Sequence, residues 1–200
     1  METEPAPPAP PPAPRRRALA LLAEAAFHAA CVALFLWAGA LRPTAEGARL
    51  FPLPDAPEHA WASLAWAGEA PFLLPVANEW HPTRYAPVHG MASAPWVWLR
   101  GGGLGAAREW PVVALALSAA LLALAATLAG GGAVARCLVV GALATSPQAA
   151  RLAGLVMQEP SFLALTGACL VAFAAALRAG EDRPRERRAL LVASGLLAGA

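Results

Sequence analysis

Apolar residues run almost unbroken over 18–41, 110–129, 137–157 and 160–177. Each run is close to the roughly 20 residues a helix needs to cross a hydrocarbon core of about 30 Å. The first, 24 residues long, would reach about 36 Å as a helix. It is too long for the core of a signal peptide, and the "AGALRPTAEG" behind it is only a weak cleavage signal, so it reads as a retained first span. A single helix over 138–177 would measure about 60 Å, twice the membrane, so that stretch has to turn back. "QEP" at 158–160 is the best place: proline cannot continue the helix behind it but suits the first turn of a new one. Pro147 in "ATSPQAARL" predicts a kink in the third span. A fifth run, 189–200, is too short to cross and has no polar flank, which suggests a chain cut within a longer protein.

The polar positions orient these spans. Residues 1–14 are proline-rich with too little apolar surface to fold, and with Arg15, Arg16 and Arg17 they form a disordered tail at 1–17. The short links at 130–136 and 178–188 fall on the same side as that tail. Five arginines, Arg178, Arg183, Arg185, Arg187 and Arg188, crowd into the eleven residues of the second link, whereas 42–109 spreads five over 68. Arginine excess marks the cytoplasmic side. The expected topology therefore has a cytoplasmic N-terminus, with the 42–109 segment and the turn at Glu159 outside.

Composition agrees, with 58 % hydrophobic and 14 % charged residues against roughly 45–50 % and 25 % in soluble domains. There are fifteen arginines, no lysine and a net charge of only +2. No basic surface is dense enough for nucleic acid, so none is expected as a partner. Cys31, Cys137 and Cys169 each sit alone in an apolar run and read as free thiols. Glu24 and His28, one turn apart in the first span, are expected to pair with each other. Arg151, two turns before Glu159, lies within reach of it.

The outer segment is too long and too varied for a connector. Asp55, Pro57 and Glu58 mark a helix start, after which Trp61, Leu64 and Ala65 give an apolar face. A second short helix is expected near 89–99. Trp61, Trp66, Trp80, Trp96, Trp98 and Trp110 suit the headgroup region. The fold class is thus an all-α membrane protein, a multi-pass helical bundle with amphipathic surface helices in its first outer loop. Asp55 has a plain structural reading as an N-cap, with Glu58 three residues on completing a capping box. His59, His81 and His89 have no zinc spacing and read as surface or loop histidines. Arg42, Arg49, Arg100 and Arg108 read as interfacial anchors.

Glu159 could merely mark the end of a span, but a charge among apolar residues is costly enough to make it a functional candidate. By topology it shares a membrane face with Asp55. Two carboxylates there can hold a divalent cation such as Mg or Mn, or divide into a base and a metal ligand. Arg84 offers a guanidinium fork that matches phosphate oxygens.

Three blocks in order, "PDAPEHAWASLA", "HPTRYAPVHGMASAP" and "ATSPQAARLAGLVMQEPSFLAL", resemble the N-terminal part of the GT-C class of integral-membrane glycosyltransferases. That group uses polyprenyl-phosphate sugars and includes the protein mannosyltransferases (glycosyltransferase family 39) and the aminoarabinose transferases of lipid A. The resemblance covers about 18–200. It implies an inverting sugar transfer from a polyprenyl-phosphate donor to a lipid, glycan or protein acceptor, at the outer face of the cytoplasmic membrane of the cell envelope. Asp55 would be the catalytic base, Glu159 would bind metal or donor, and Arg84 with Tyr85 would contact the donor phosphate; Glu58, His59 and His81 lie close by in the motifs. The family's usual Arg/Lys-Tyr-Pro-Pro-Gly is here Arg84-Tyr85-Ala86-Pro87-Val88, and Glu58-His59 stands where an acidic or small residue followed by tyrosine is usual. The competing class is a non-enzymatic multi-pass protein, a transporter subunit or envelope assembly factor. Transporters place their charges near the midplane, often in repeated halves, whereas the candidate charges here lie at the edge and no repeat is visible.

Overall fold

The computed structural model describes residues 14–40, 56–76, 79–82, 87–155, 157–180 and 183–199. Among them the chain is helical apart from one hairpin. α1 spans Pro14–Ala40 and α2 Ala56–Trp66. Strands β1 (Leu73–Val76) and β2 (Glu79–Pro82) then pair antiparallel, with Leu74 opposite His81. α3 covers Val88–Leu99, α4 Gly103–Leu128, α5 Ala133–Ala144, α6 Pro147–Ala153, α7 Glu159–Ala179 and α8 Pro184–Ala198.

Three of these helices, α1, α4 and α7, are long and apolar enough to cross a membrane. A fourth crossing results if α5 and α6, bent by 61° at their junction, count as one broken span. Large apolar side chains stay exposed on them, among them Leu22 and Trp37 on α1, Leu138 on α5 and Leu177 on α7. Hydrocarbon, unlike water, solvates such a surface without penalty, as expected of a membrane protein.

The 61° bend follows from local chemistry. Ser146 has extended backbone, its hydroxyl accepts a bond from the Ala149 amide at 3.4 Å, and Pro147 fills the first turn of α6. This is a helix start, so the expected kink is a full break. α7 likewise begins at Glu159-Pro160. α4 starts seven residues before the apolar run at Trp110, because Ala106 and Ala107 bury themselves against α2 and α3 rather than against lipid. The hairpin adds two short strands that the all-α expectation lacks.

α4 and α7 run parallel and form the largest helix interface. Gly167 of α7 lies so near α4 that an added Cβ would sit 2.9 Å from the Leu121 Cβ, so glycine sets the spacing. One core joins α1 (Cys31, Phe35), α4 (Val112, Leu115, Ala119), α5 (Val140, Ala144) and α6 (Ala149, Ala153). A second, smaller core at the other side of Trp110 joins α2 (Ala60, Leu64), α3 (Val97) and the start of α4.

Glu24 does not find its partner one turn along at His28. Arg136 of α5 grips it instead, donating from Nε to Oε1 and from Nη2 to Oε2 at 2.8 Å. Arg136 also reaches the Gly131 carbonyl at 3.3 Å. A two-bonded guanidinium fork satisfies a carboxylate more completely than an imidazole can, and a charge on an apolar helix needs that pairing. The pair ties the first half of α1 to the start of α5. Arg151 is exposed, and among the described residues no ion pair joins it to Glu159.

The fold therefore has two chemically distinct ends. The end of α4, the start of α5 and the end of α7 share an arginine-rich end that includes Arg136 and Arg178. The opposite end carries α2, α3 and the starts of α4 and α7.

Candidate functional site

At that opposite end a buried polar chain crosses four helices. His59 and Ser63 lie one turn apart on α2, and His89 and Ser93 one turn apart on α3; none is more than 2 % exposed. Trp110 of α4 and Ser161 of α7 close the set. Helices α2 and α3 can approach because residue 90 is glycine: a Cβ there would fall 2.9 Å from the Ala62 carbonyl oxygen.

The Trp110 indole N–H donates to the Ser161 hydroxyl at 2.8 Å, and Ser161 Oγ lies 3.0 Å from His89 Nδ1. His89 Nε2 is 3.3 Å from Ser63 Oγ, whose hydroxyl donates to the His59 carbonyl at 3.0 Å. Ser93 donates to Ser63 Oγ at 2.7 Å, with the Gly90 carbonyl at 3.1 Å as its second acceptor. The His59 and His89 rings meet edge to face, centroids 5.2 Å apart.

A single proton arrangement serves every group. Trp110 and Ser63 have fixed donor roles, so Ser63 must accept from His89 Nε2–H. That leaves Nδ1 as the acceptor for the Ser161 hydroxyl. His89 is then neutral. Burial, reinforced by His59 beside it, pushes its pKa down to about 3.

A depressed histidine pKa makes stability depend on pH with a definite sign. Above about pH 6.5 His89 is neutral in both folded and unfolded chains and contributes no slope. Below that the unfolded chain takes up a proton that the folded one refuses, so stability falls with falling pH until about 3. The slope is at most about 1.4 kcal/mol per pH unit. Thermal unfolding in detergent between pH 7 and 5 should show this loss, and His89→Gln should remove that part of the slope. An identical pH profile in the variant would contradict the neutral assignment.

Around this chain the candidate residues separate. Glu58 is buried in the first turn of α2, where a carboxylate favours the helix dipole. His59 and His89 are not surface histidines: both are enclosed between α2 and α3, because the second core closes over them. His81 stands in β2. Glu159, the first residue of α7, is exposed, two positions before the buried Ser161. Asp55, Arg84 and Tyr85 lie outside the described residues, Asp55 immediately before Ala56, where α2 opens. Among the described residues no three histidines, cysteines or carboxylates gather as a metal site.

Arg100, expected only to anchor, makes a two-bonded pair with Glu109 at 2.9 and 3.1 Å and lies 5.9 Å from the centre of the Trp96 ring. The pair holds its pKa above the ordinary arginine value. It clamps the glycine turn at 101–103, whose three residues all take positive φ, a conformation that side chains other than glycine rarely adopt.

The buried serines were missed by reading along the chain, although a signal was present. "HAWAS" at 59–63 and "HGMAS" at 89–93 repeat the same histidine and serine at helical spacing. Compared with family models, with curated proteins and with solved structures, the chain has no match.

Proposed function

We infer that this chain is the membrane-embedded N-terminal part of a GT-C-like glycosyltransferase. It forms a multi-pass bundle in the cytoplasmic membrane with its N-terminus in the cytoplasm. The reaction is transfer of a sugar from a polyprenyl-phosphate donor to an acceptor at the outer face. The observation that carries this reading is the chain of bonds from Ser63 through His89 to Ser161. It joins α2, which opens directly after Asp55, to α7, which opens at Glu159. A transfer site needs its base and its donor-binding group on one rigid frame, because misplacement of either is costly in rate.

In this scheme Asp55 removes the acceptor proton, and Arg84 with Tyr85 stabilises the departing phosphate. Glu159, exposed at the start of α7, positions the donor. With Asp55 it would be the group to hold a divalent cation, which would supply charge stabilisation at the donor phosphate. His89 and the serines hold the frame and take no part in proton transfer, being enclosed and mutually satisfied.

The test is an assay of membranes carrying the full-length protein with a panel of polyprenyl-phosphate sugars and lipid, glycan and protein acceptors. Transfer is expected from one donor class, and the same sugars on nucleotide carriers should be inert. No transfer from any lipid-linked donor would leave the non-enzymatic multi-pass reading in its place.

A further inference from the structure

At the arginine-rich end, α4, α5 and α7 enclose an apolar groove of about 750 Å³ that the transfer reaction does not use. On α4 it runs from Leu122 to Leu128 and continues to Gly130 in the turn behind that helix, and on α7 it runs from Leu170 to Arg178, eight residues further along. Eight residues of helix rise about 12 Å, close to half of a hydrocarbon core of about 30 Å. The groove therefore has about the depth of one leaflet.

Its walls are leucine, alanine, valine, phenylalanine and one glycine, and its one cationic side chain is Arg178, in the last turn of α7. Arg178 also lines the adjoining polar recess of about 500 Å³, together with Arg183 and Glu186. Arg183 is partly occupied by Glu186, at 3.4 Å, while Arg178 makes no ion pair among the described residues. The connection beyond it carries Arg185, Arg187 and Arg188 as well. An apolar slot of leaflet depth, ending in a guanidinium beside a basic segment, matches a molecule with a hydrocarbon chain and a negatively charged phosphate head.

We propose that this groove is a site for one anionic glycerophospholipid, with an acyl chain between α4 and α7 and its phosphate on Arg178. A lipid held there fills the space left between the two helices beyond their contact at Gly167 and Leu121. The site stands independently of the sugar-transfer reading, since it lies at the other end of the bundle from Glu159.

The experiment is native mass spectrometry of the delipidated full chain, titrated with phosphatidylglycerol or with phosphatidylcholine of the same acyl chains. Retention of one phosphatidylglycerol is expected, favoured about five-fold or more over phosphatidylcholine, as one guanidinium near the surface supplies. Arg178→Gln should abolish the preference. Val139→Trp should reduce retention of both lipids, because Val139 lines the groove from α5 and is 36 % exposed, so the larger ring enters the groove without disturbing the core. Glycerol phosphate, a head without a chain, should not compete. Equal retention of the two lipids by the unsubstituted chain would overturn the proposal, and so would an unchanged preference in Arg178→Gln, undiminished retention in Val139→Trp, or full competition by glycerol phosphate. The comparison of the two lipids on the unsubstituted chain decides the matter even if a variant fails to fold.

Discussion

Asp55→Asn is expected to lower sugar transfer by about 10²–10⁴-fold, the usual contribution of a general base, while the amount of membrane-inserted protein stays the same. The substitution is chosen because it separates the two readings of this residue. Asp55 directly precedes α2, and aspartate and asparagine are about equally good helix caps. If the residue only caps α2, asparagine preserves its role and activity is retained. If it takes the acceptor proton, asparagine has the same size and hydrogen-bonding reach but cannot act as a base. Glu159→Gln, measured alongside, should raise KM for the donor more than it lowers kcat, since its proposed part is to position the donor. Full activity in Asp55→Asn would remove the mechanism while leaving the fold untouched.

Ser161→Ala is expected to destabilise the chain by about 2–4 kcal/mol. Alanine fits the space, so no packing is lost, but two buried groups lose their common partner: the Trp110 indole N–H at 2.8 Å and His89 Nδ1 at 3.0 Å. Each buried polar group left unsatisfied costs about 1–3 kcal/mol. Because His89 is bonded in turn to Ser63, the loss should propagate to α2 and loosen the end of the molecule that presents Glu159. Thermal unfolding in detergent provides the measurement, and a double-mutant cycle with His89→Leu provides the control. Removing Ser161 after His89 has gone should cost less than removing it first, by about 1 kcal/mol. Strict additivity would mean that the two side chains do not act as one network.

Much of the molecule could be read from its sequence because lipid imposes simple rules. Length arithmetic separated the runs before and after "QEP", and α7 indeed begins at Glu159. Proline chemistry located the break at Pro147, helix-start residues located α2, and α3 lies where a second short helix was expected near 89–99. These are local effects, decided within a few residues by backbone geometry and by the length of an apolar run.

Partner choice was not legible in the same way. Glu24 had a plausible mate one turn away in His28, yet Arg136, 112 residues along the chain, takes it. Only the packing of α1 against α5 brings that fork within reach. The histidines show the same limit. The shared His-x-x-x-Ser spacing pairs His59 with Ser63 and His89 with Ser93 but does not say that they are buried, since burial comes from a second helix closing over each of them.

The sequence by itself thus determined an apolar helical chain, its turns and its arginine-rich end, because hydropathy, proline and charge act along the chain. The tertiary structure decided which polar groups meet. His-x-x-x-Ser on α2 and His-x-x-x-Ser on α3 become one buried network only when Gly90 lets the two helices touch and Ser161 arrives from α7. A hydrogen bond depends on distances of about 3 Å between atoms, and such distances between remote residues exist only once the helices have packed.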